Sequence, residues 1–382
     1  MKGRVIVIDM PDDRPSQAAL VVDGRLEDLI LDPPKGDAAL APGTVCAAKV
    51  DRLAPKIGGA FLRLDGGATG FLREAKGLRE GAGLVVQVTG HPEPGKAVPV
   101  TARVLYKGPR LIHTPGAPGI NVSRQIRDAD ERARLVAIIE SAEGAAKLED
   151  GGVILRSAAE GADAEELLAE LGWLLARRRE TEAGGRPAGA GERPEPGRAI
   201  EDGLREWAFP RAEIAASPAF GRMLASDASG AFLWGSEELR RMVRETDADP
   251  FEHFGVWDEI ERLKSPRVDL PSGAWMSVEP TRAMVTVDVN TGDNFNPAAA
   301  LTANLEAAKE LPRQLRLRGL GGQVAVDFAP LRKMDRKRVE DALKTSFRRD
   351  PIETTLAGWT PLGNFELQRK RERRPLAELL AK

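Results

Sequence analysis

The sequence predicts a multi-domain fold that combines α/β modules with an all-β part. Three observations carry this prediction. Short, glycine-punctuated strand-like runs fill residues 43 to 116, and apolar residues recur at helical spacing between residues 128 and 180. Two further strand-like runs, closing on Asp288 and Asp327, flank a long helical pattern. At about 100 to 200 residues per domain, 382 residues give room for two to four domains. Hydrophobic residues make up 42% and aromatics only 5%, so aliphatic side chains must do most of the burying. That composition excludes collagen-like and wholly disordered chains.

Residues 1 to 40 read as two short strands, RVIVID and ALVVDGRLEDLIL, separated by the polar turn PDDRPS. Alone they cannot close a core. In the next stretch, runs such as GTVCAAKVDRLA, GGAFLRLDGGATGFLR and GLVVQVTGHPEPGKAVPVTARVLYKG are interrupted by glycines every 8 to 15 residues. That cadence fits a small closed β-barrel of the OB type, over residues 41–118. ADERARLVAIIESA and DAEELLAELGWLLARRRE are amphipathic helices around the short strand GGVILRSAA, which makes residues 119–180 a compact α/β module. Residues 181–203 are so rich in Gly, Pro, Glu and Arg that they read as a linker. Beyond them, SEELRRMVRE and VWDEIERLKS read as helices, the first capped by Ser236.

MVTVDVNTGDN, residues 284 to 294, places Asp288 and Asn290 two apart, so both leave the same face of a strand. NLEAAKELPRQLRLR is helical in pattern, GLGG stops it, and QVAVDF is a second strand ending at Asp327. Strand, helix, strand is a βαβ unit whose parallel strands bring their carboxyl ends to one edge, so Asp288 and Asp327 converge. Two carboxylates and an amide oxygen form a hard oxygen site suited to Mg²⁺. The competing reading, in which Asp288 caps a turn and Asp327 opens a loop, leaves the repulsion between them unanswered. Asp293 and Glu306 are accounted for by loop and helix-surface exposure. Pro312, inside the helical pattern, should kink it or cost about 3 kcal/mol.

Net charge is −2, yet residues 313–382 hold 17 Lys+Arg against 9 Asp+Glu, a basic lobe on an acidic body. Arg369, Lys370, Arg371, Arg373 and Arg374 cluster in RKRERR, and RKMDRKR is a second run. A cation site flanked by arginines that fork onto phosphates is equipment for phosphodiester hydrolysis, although these residues alone do not separate RNA from DNA or small nucleotides. Cys46, the single cysteine, excludes an intramolecular disulfide framework and a Cys-rich zinc module, and it fits a reducing compartment, the cytoplasm by default. The N-terminal MKGRVIVIDM has only Val5–Ile8 before Asp9, against roughly 7 to 15 apolar residues for an export signal, so neither export signal nor membrane span is expected.

The block VDVNTG, NLEAAKELPRQLRLRGLGGQVAVDF and FELQRKRERRPL, with LPSGAWMSVEPTRA before it, resembles the catalytic region of the ribonuclease E/G family over about a hundred residues. The resemblance implies a Mg²⁺-dependent endoribonuclease on single-stranded RNA, preferring 5′-monophosphorylated ends, leaving 5′-phosphate and 3′-hydroxyl products, in RNA processing or decay. It also implies an architecture: a ribonuclease-H-like subdomain from residues 1–40 and 204–278, an inserted OB-fold and 5′-sensor module, and a deoxyribonuclease-I-like catalytic subdomain over 279–382. Residue by residue, it makes Asp288 and Asp327 metal ligands with Asn290 beside them, and Arg156 and Ser157 the 5′-phosphate pair. Phe61, Phe71 and Lys96 become RNA contacts of the barrel, joined by Arg369, Lys370 and Arg371. Serine replaces the family's threonine at 157 and keeps the hydroxyl. Family members commonly carry a two-cysteine zinc motif after the basic tail; here no zinc is expected, and a homo-oligomer would form without a zinc link. A short loop after Asn290 is expected to reshape the channel, and the chain reads as a compact member without a scaffold tail. An RNA-binding relative with weak or lost catalysis is the alternative.

Overall fold

The computed structural model describes residues 3–11, 16–32, 40–93, 95–141, 148, 151–183, 207, 213–218, 243–246, 249–293 and 297–381. The chain divides into two compact units, one formed by Met1–Pro34, Glu213–Ser217 and Glu245–Lys382, the other by Lys35–Ala212 and Pro218–Arg244.

The chain opens with β1 (Arg4–Asp9), β2 (Gln17–Val22) and β3 (Arg25–Leu31), an antiparallel meander. The run expected as a single second strand is thus two strands. Asp23 and Gly24 both take positive φ, 51° and 80°, and such an Asp-Gly pair makes the two-residue turn that matches strand twist.

Strands β4 (Val45–Ala54), β5 (Gly59–Leu64), β6 (Thr69–Arg73), β7 (Gly83–Val88) and β8 (Val98–Thr101) close a barrel in the order β4-β5-β6-β8-β7. Only β6 and β8 run parallel. Its interior is aliphatic, with Cys46, Val50, Leu62, Val86 and Val88 buried, and this five-stranded closure is consistent with the expected OB type. Next come β9 (Tyr106–Lys107), β10 (Leu111–Pro115), β11 (Gly119–Val122), α1 (Ala129–Ser141), β12 (Gly151–Leu155) and α2 (Ala164–Ala183). The sheet order is β11-β12-β10-β9, and both helices pack on it through Leu135, Ile139, Leu167 and Leu171. Helix α2 includes residues 181–183, where a linker was expected to begin; residues 184–203 of that linker lie outside the described residues.

Strands β13 (Glu213–Ala216) and β14 (Val243–Glu245) join the first meander as β14-β13-β1-β2-β3, with β1 and β13 parallel. The N-terminal strands therefore complete their core with a segment from mid-chain. SEELRRMVRE was expected to be a helix. Its described end is strand β14, where sheet pairing outweighs the helical pattern, and Ser236 lies outside the described residues.

After α3 (Pro250–His253) and α4 (Val256–Lys264) come β15 (Arg267–Asp269), β16 (Trp275–Pro280), β17 (Val285–Asn290), α5 (Pro297–Leu317) and β18 (Gly322–Asp327). The chain closes with α6 (Lys333–Arg348), β19 (Thr354–Trp359), β20 (Phe365–Arg369) and α7 (Leu376–Leu380). The six-stranded sheet runs β15-β16-β17-β18-β20-β19, with β17 and β18 its parallel pair across the α5 crossover. One face is buried under α5 and α6 around Met276, Val287, Val326, Leu311 and Leu343. Helix α5 runs through Pro312 without interruption. Leu311 and Leu315 are anchored in the core beside it and Arg313 Nε donates to the Leu26 carbonyl at 2.6 Å, so packing holds a turn that lacks one backbone bond.

Candidate active site

The six-stranded sheet owes its two faces to strict alternation. In β17, Val285, Val287 and Val289 are buried while Thr286 and Asp288 are exposed; in β18, Val324 and Val326 are buried while Gln323 and Asp327 are exposed. The parallel register pairs Asp288 directly with Asp327, and neighbouring strands lie about 4.8 Å apart. The two carboxylates thus stand side by side on the solvent face. Asn290 Nδ2 donates to Asp288 Oδ2 at 2.7 Å, which orients that carboxylate. The βαβ expectation and the convergence of these three residues agree with this geometry.

Among the described residues neither Asp288 nor Asp327 pairs with a cation, and no group of three or more His, Cys, Asp or Glu side chains is arranged to hold a metal ion. The donor set is two carboxylates with an amide group. Side-by-side like charges repel unless a cation offsets them, and an ion that keeps most of its waters needs only one or two protein carboxylates. These residues fit Mg²⁺ on that ground.

Two supporting residues escaped the sequence reading, and a third was read there only as a surface acid. Asn304, fully buried in α5, donates to the Ala329 carbonyl at 2.9 Å and accepts from the Ala329 N–H at 3.0 Å, fixing the chain two residues past Asp327. Trp275 is the cross-strand partner of Asn290, and the Arg267 guanidinium lies 4.6 Å from its ring centroid. Glu306, expected to be a plain surface acid, accepts from the Ser272 N–H at 3.1 Å and Ser272 Oγ at 2.7 Å. The alternation in WMSVEP could have placed Trp275 on the polar face; the Asn304 and Glu306 contacts bridge more than twenty residues and leave no local signal. The loop after Asn290 lies partly outside the described residues, at 294–296.

The basic run needs a correction. Arg369 was expected to touch RNA, but its side chain is wholly buried: Nη2 donates to Asp350 Oδ1 at 2.8 Å and Nη1 to Thr354 Oγ1 at 3.0 Å. It occupies the inward register of β20 with Phe365 and Leu367, so it holds the fold instead of contacting substrate. Lys370 is half-exposed and pairs with Glu353. Arg371 is half-buried, its guanidinium filling the space where a Cβ on Gly322 would stand.

In the other unit, Arg156 directly follows β12 and caps the short helical turn Ser157–Ala159, which Ser157 opens; both are exposed. Arg156 Nη1 donates to the Gly108 carbonyl at 2.9 Å. On the barrel, Phe61 and Phe71 face each other across β5 and β6 with ring centroids 5.2 Å apart, and the Arg52 guanidinium lies 5.0 Å from the Phe61 centroid. Both rings are half-buried, while Lys96, two residues before β8, is exposed and pairs with Glu93 at 2.6 Å.

The model of the Ribonuclease E/G family matches residues 106–208 and 213–372. The chain belongs to the Ribonuclease E/G family. It is 30% identical over 315 residues to Ribonuclease G of Salmonella typhimurium (strain SL1344) and to Ribonuclease G of Escherichia coli (strain K12), covering 79% of this chain and 62% of each relative. Ribonuclease E of Nostoc sp. (strain PCC 7120 / SAG 25.82 / UTEX 2576) is 28% identical over 320 residues, covering 78% of this chain and 44% of that protein. The chain thus spans about three fifths of the length of the Ribonuclease G relatives. The Ribonuclease E/G match includes Arg156, Ser157, Asp288, Asn290 and Asp327 and stops short of the barrel residues Phe61, Phe71 and Lys96.

Proposed function

We propose that the chain is a Mg²⁺-dependent endoribonuclease that hydrolyses single-stranded RNA, favours 5′-monophosphorylated ends and serves RNA processing or decay in the cytoplasm. The observation that carries this is the in-register pair Asp288 and Asp327 on the open face of the sheet, within the family match. Asp288 and Asp327 would hold the ion. The chemistry such an ion supplies is Lewis-acid polarisation of a phosphodiester and acidification of a water. Asn290 fixes the Asp288 carboxylate, and Asn304 fixes the backbone leaving Asp327. Lys370 and Arg371 attract the RNA backbone, and the product ends are 5′-phosphate and 3′-hydroxyl.

In the second unit, Arg156 and Ser157 receive the terminal phosphate, the guanidinium by its fork and the hydroxyl by donation. Phe61 and Phe71 offer rings to unpaired bases and Lys96 a charge to the backbone. The sheet that joins β1–β3 to β13 supports a subdomain built from the chain's start and middle, and residues 279–382 contain both aspartates.

The test is cleavage of a 5′-monophosphorylated, A/U-rich single-stranded oligonucleotide with Mg²⁺. Loss of several kcal/mol of transition-state stabilisation corresponds to a rate drop of about a thousandfold, expected for Asp288→Asn with Asp327→Asn. A double variant that cuts as fast as wild type rejects the site. Tight RNA binding by the wild type without cleavage at any Mg²⁺ concentration would instead make it a non-catalytic RNA-binding relative.

A further inference from the structure

We infer that Glu170 is a positioning residue of the 5′-end pocket: from α2 it clamps the turn Gly108–Leu111 in the shape that holds Arg156, so that recognition of a terminal phosphate depends on a carboxylate that itself touches no RNA. This inference rests on the proposed role of Arg156 and Ser157.

Glu170 has no exposed surface, and a buried carboxylate is costly unless hydrogen bonds and countercharge offset it. Its partners lie almost entirely in one turn. Oε1 accepts the backbone N–H of Arg110 at 2.9 Å and that of Leu111 at 2.8 Å. Oε2 stands 3.9 Å from Nη1 of Arg110, itself buried, whose Nη2 reaches Glu166 Oε2 at 2.8 Å. The fit extends to the backbone: a Cβ on Gly108 would lie 2.2 Å from Glu170 Oε1, so only glycine lets the carboxylate approach this closely.

The turn then passes that constraint to Arg156. The Arg110 carbonyl accepts the Arg156 backbone N–H at 2.7 Å, and the Gly108 carbonyl accepts Arg156 Nη1 at 2.9 Å. The main chain and the guanidinium of Arg156 therefore both rest on the segment whose N–H groups Glu170 holds. A guanidinium has five donors in a fixed plane, and tethering one to a carbonyl sets the direction of the fork that the phosphate meets. Burial pushes the Glu170 carboxyl above its ordinary range against the opposing pull of the two N–H groups and the Arg110 and Arg156 charges, so these contacts offset only part of the cost of burying the carboxylate.

The readout is the ratio of cleavage rates for the 5′-monophosphate and 5′-hydroxyl forms of one oligonucleotide. A general structural defect lowers both rates together; a misplaced Arg156 lowers only the first. Arg156→Ala should bring the ratio close to unity, and if it leaves the ratio intact, the 5′-pocket reading itself fails. With that control met, Glu170→Ala should reduce the ratio by about 10- to 100-fold, the scale of an ångström-sized misplacement, with the 5′-hydroxyl rate within about twofold of wild type. Glu170→Gln keeps an Oε1 acceptor and should restore the ratio to within about threefold of wild type. Gly108→Ala, which displaces the turn without removing a buried charge, should reproduce the loss and serves as the deciding variant if Glu170→Ala does not fold. Retention of the ratio in the folded Glu170→Ala and Gly108→Ala proteins, equal loss of both rates, or glutamine as damaging as alanine would each overturn the clamp.

Discussion

Four aspartates of one compact unit are handled in two opposite ways. Asp28 and Asp350 are buried and wrapped in arginine: Arg373 Nη2 donates to Asp28 at 2.9 Å, Arg369 Nη2 to Asp350 at 2.8 Å, and Arg316 bonds Asp350 while lying 3.4 Å from Asp28. Asp288 and Asp327 stand exposed on the open sheet face, facing each other with no cation between them among the described residues. Burial forces a charge to be matched inside the protein, whereas water tolerates an unmatched pair. This unit therefore keeps its repulsive pair where an ion from solvent can reach it, and its arginines stand where charge has left the water.

The sharpest way to break that contrast is to exchange the consequences. Arg369→Ala leaves Asp350 buried with a depleted partner set, and removing one member of a buried pair costs about 3 to 5 kcal/mol. Urea unfolding should show that loss, while cleavage per folded molecule stays near wild type. Asp288→Asn should do the reverse, with stability within about 0.5 kcal/mol because the side chain is exposed. If Arg369→Ala costs less than Asp288→Asn, the division into matched structural and unmatched functional aspartates is wrong.

Acid provides a second, graded test. Burial alone would raise the Asp28 carboxyl, but the attraction and hydrogen bonds of Arg373, with Arg316 and the Leu29 N–H, outweigh it and hold it below the ordinary range. A carboxyl depressed in the folded state stabilises the fold above its unfolded value, about 3.9, and that stabilisation is lost as pH falls through the lower folded value. Unfolding free energy measured downward from pH 5 should therefore fall more steeply for wild type than for Asp28→Asn, which has no such proton to take up. Parallel curves would show that Asp28 does not carry the acid sensitivity.

The contrast was half legible in the sequence. Asp288, Asn290 and Asp327 were readable because strict alternation fixes their face and the intervening helix fixes parallel strands, so period and topology suffice. The fate of Arg369 was obscured because RKRERR looks like a uniform charged stretch, although FELQR already places Phe365, Leu367 and Arg369 on one face of a strand. What no local pattern carries is the partner: Asp350 lies 19 residues away, Asn304 meets Ala329 across 25, and Asp28 meets Arg373 across 345. The Asp-Gly turn between β2 and β3 is a local signal that the single-strand expectation passed over; the end of SEELRRMVRE carries no such signal, because helical spacing there yields to a strand partner elsewhere in the chain.

The smallest predicted effect separates neighbours within the basic run. Lys370 follows buried Arg369, yet its ammonium pairs with Glu353 at a site where the two side chains are 49% and 67% exposed. Such a pair contributes about 0 to 1 kcal/mol, because water screens it and two flexible chains must be held in place. The lysine is accordingly able to exchange Glu353 for a phosphate at little cost, which Arg369 cannot do. Lys370→Ala should leave urea unfolding nearly unchanged and reduce the slope of log affinity against log salt by about 0.7, the value for one phosphate of a single strand. An unchanged slope would remove Lys370 from the RNA contacts, and a large stability loss would place it with Arg369 among the structural charges.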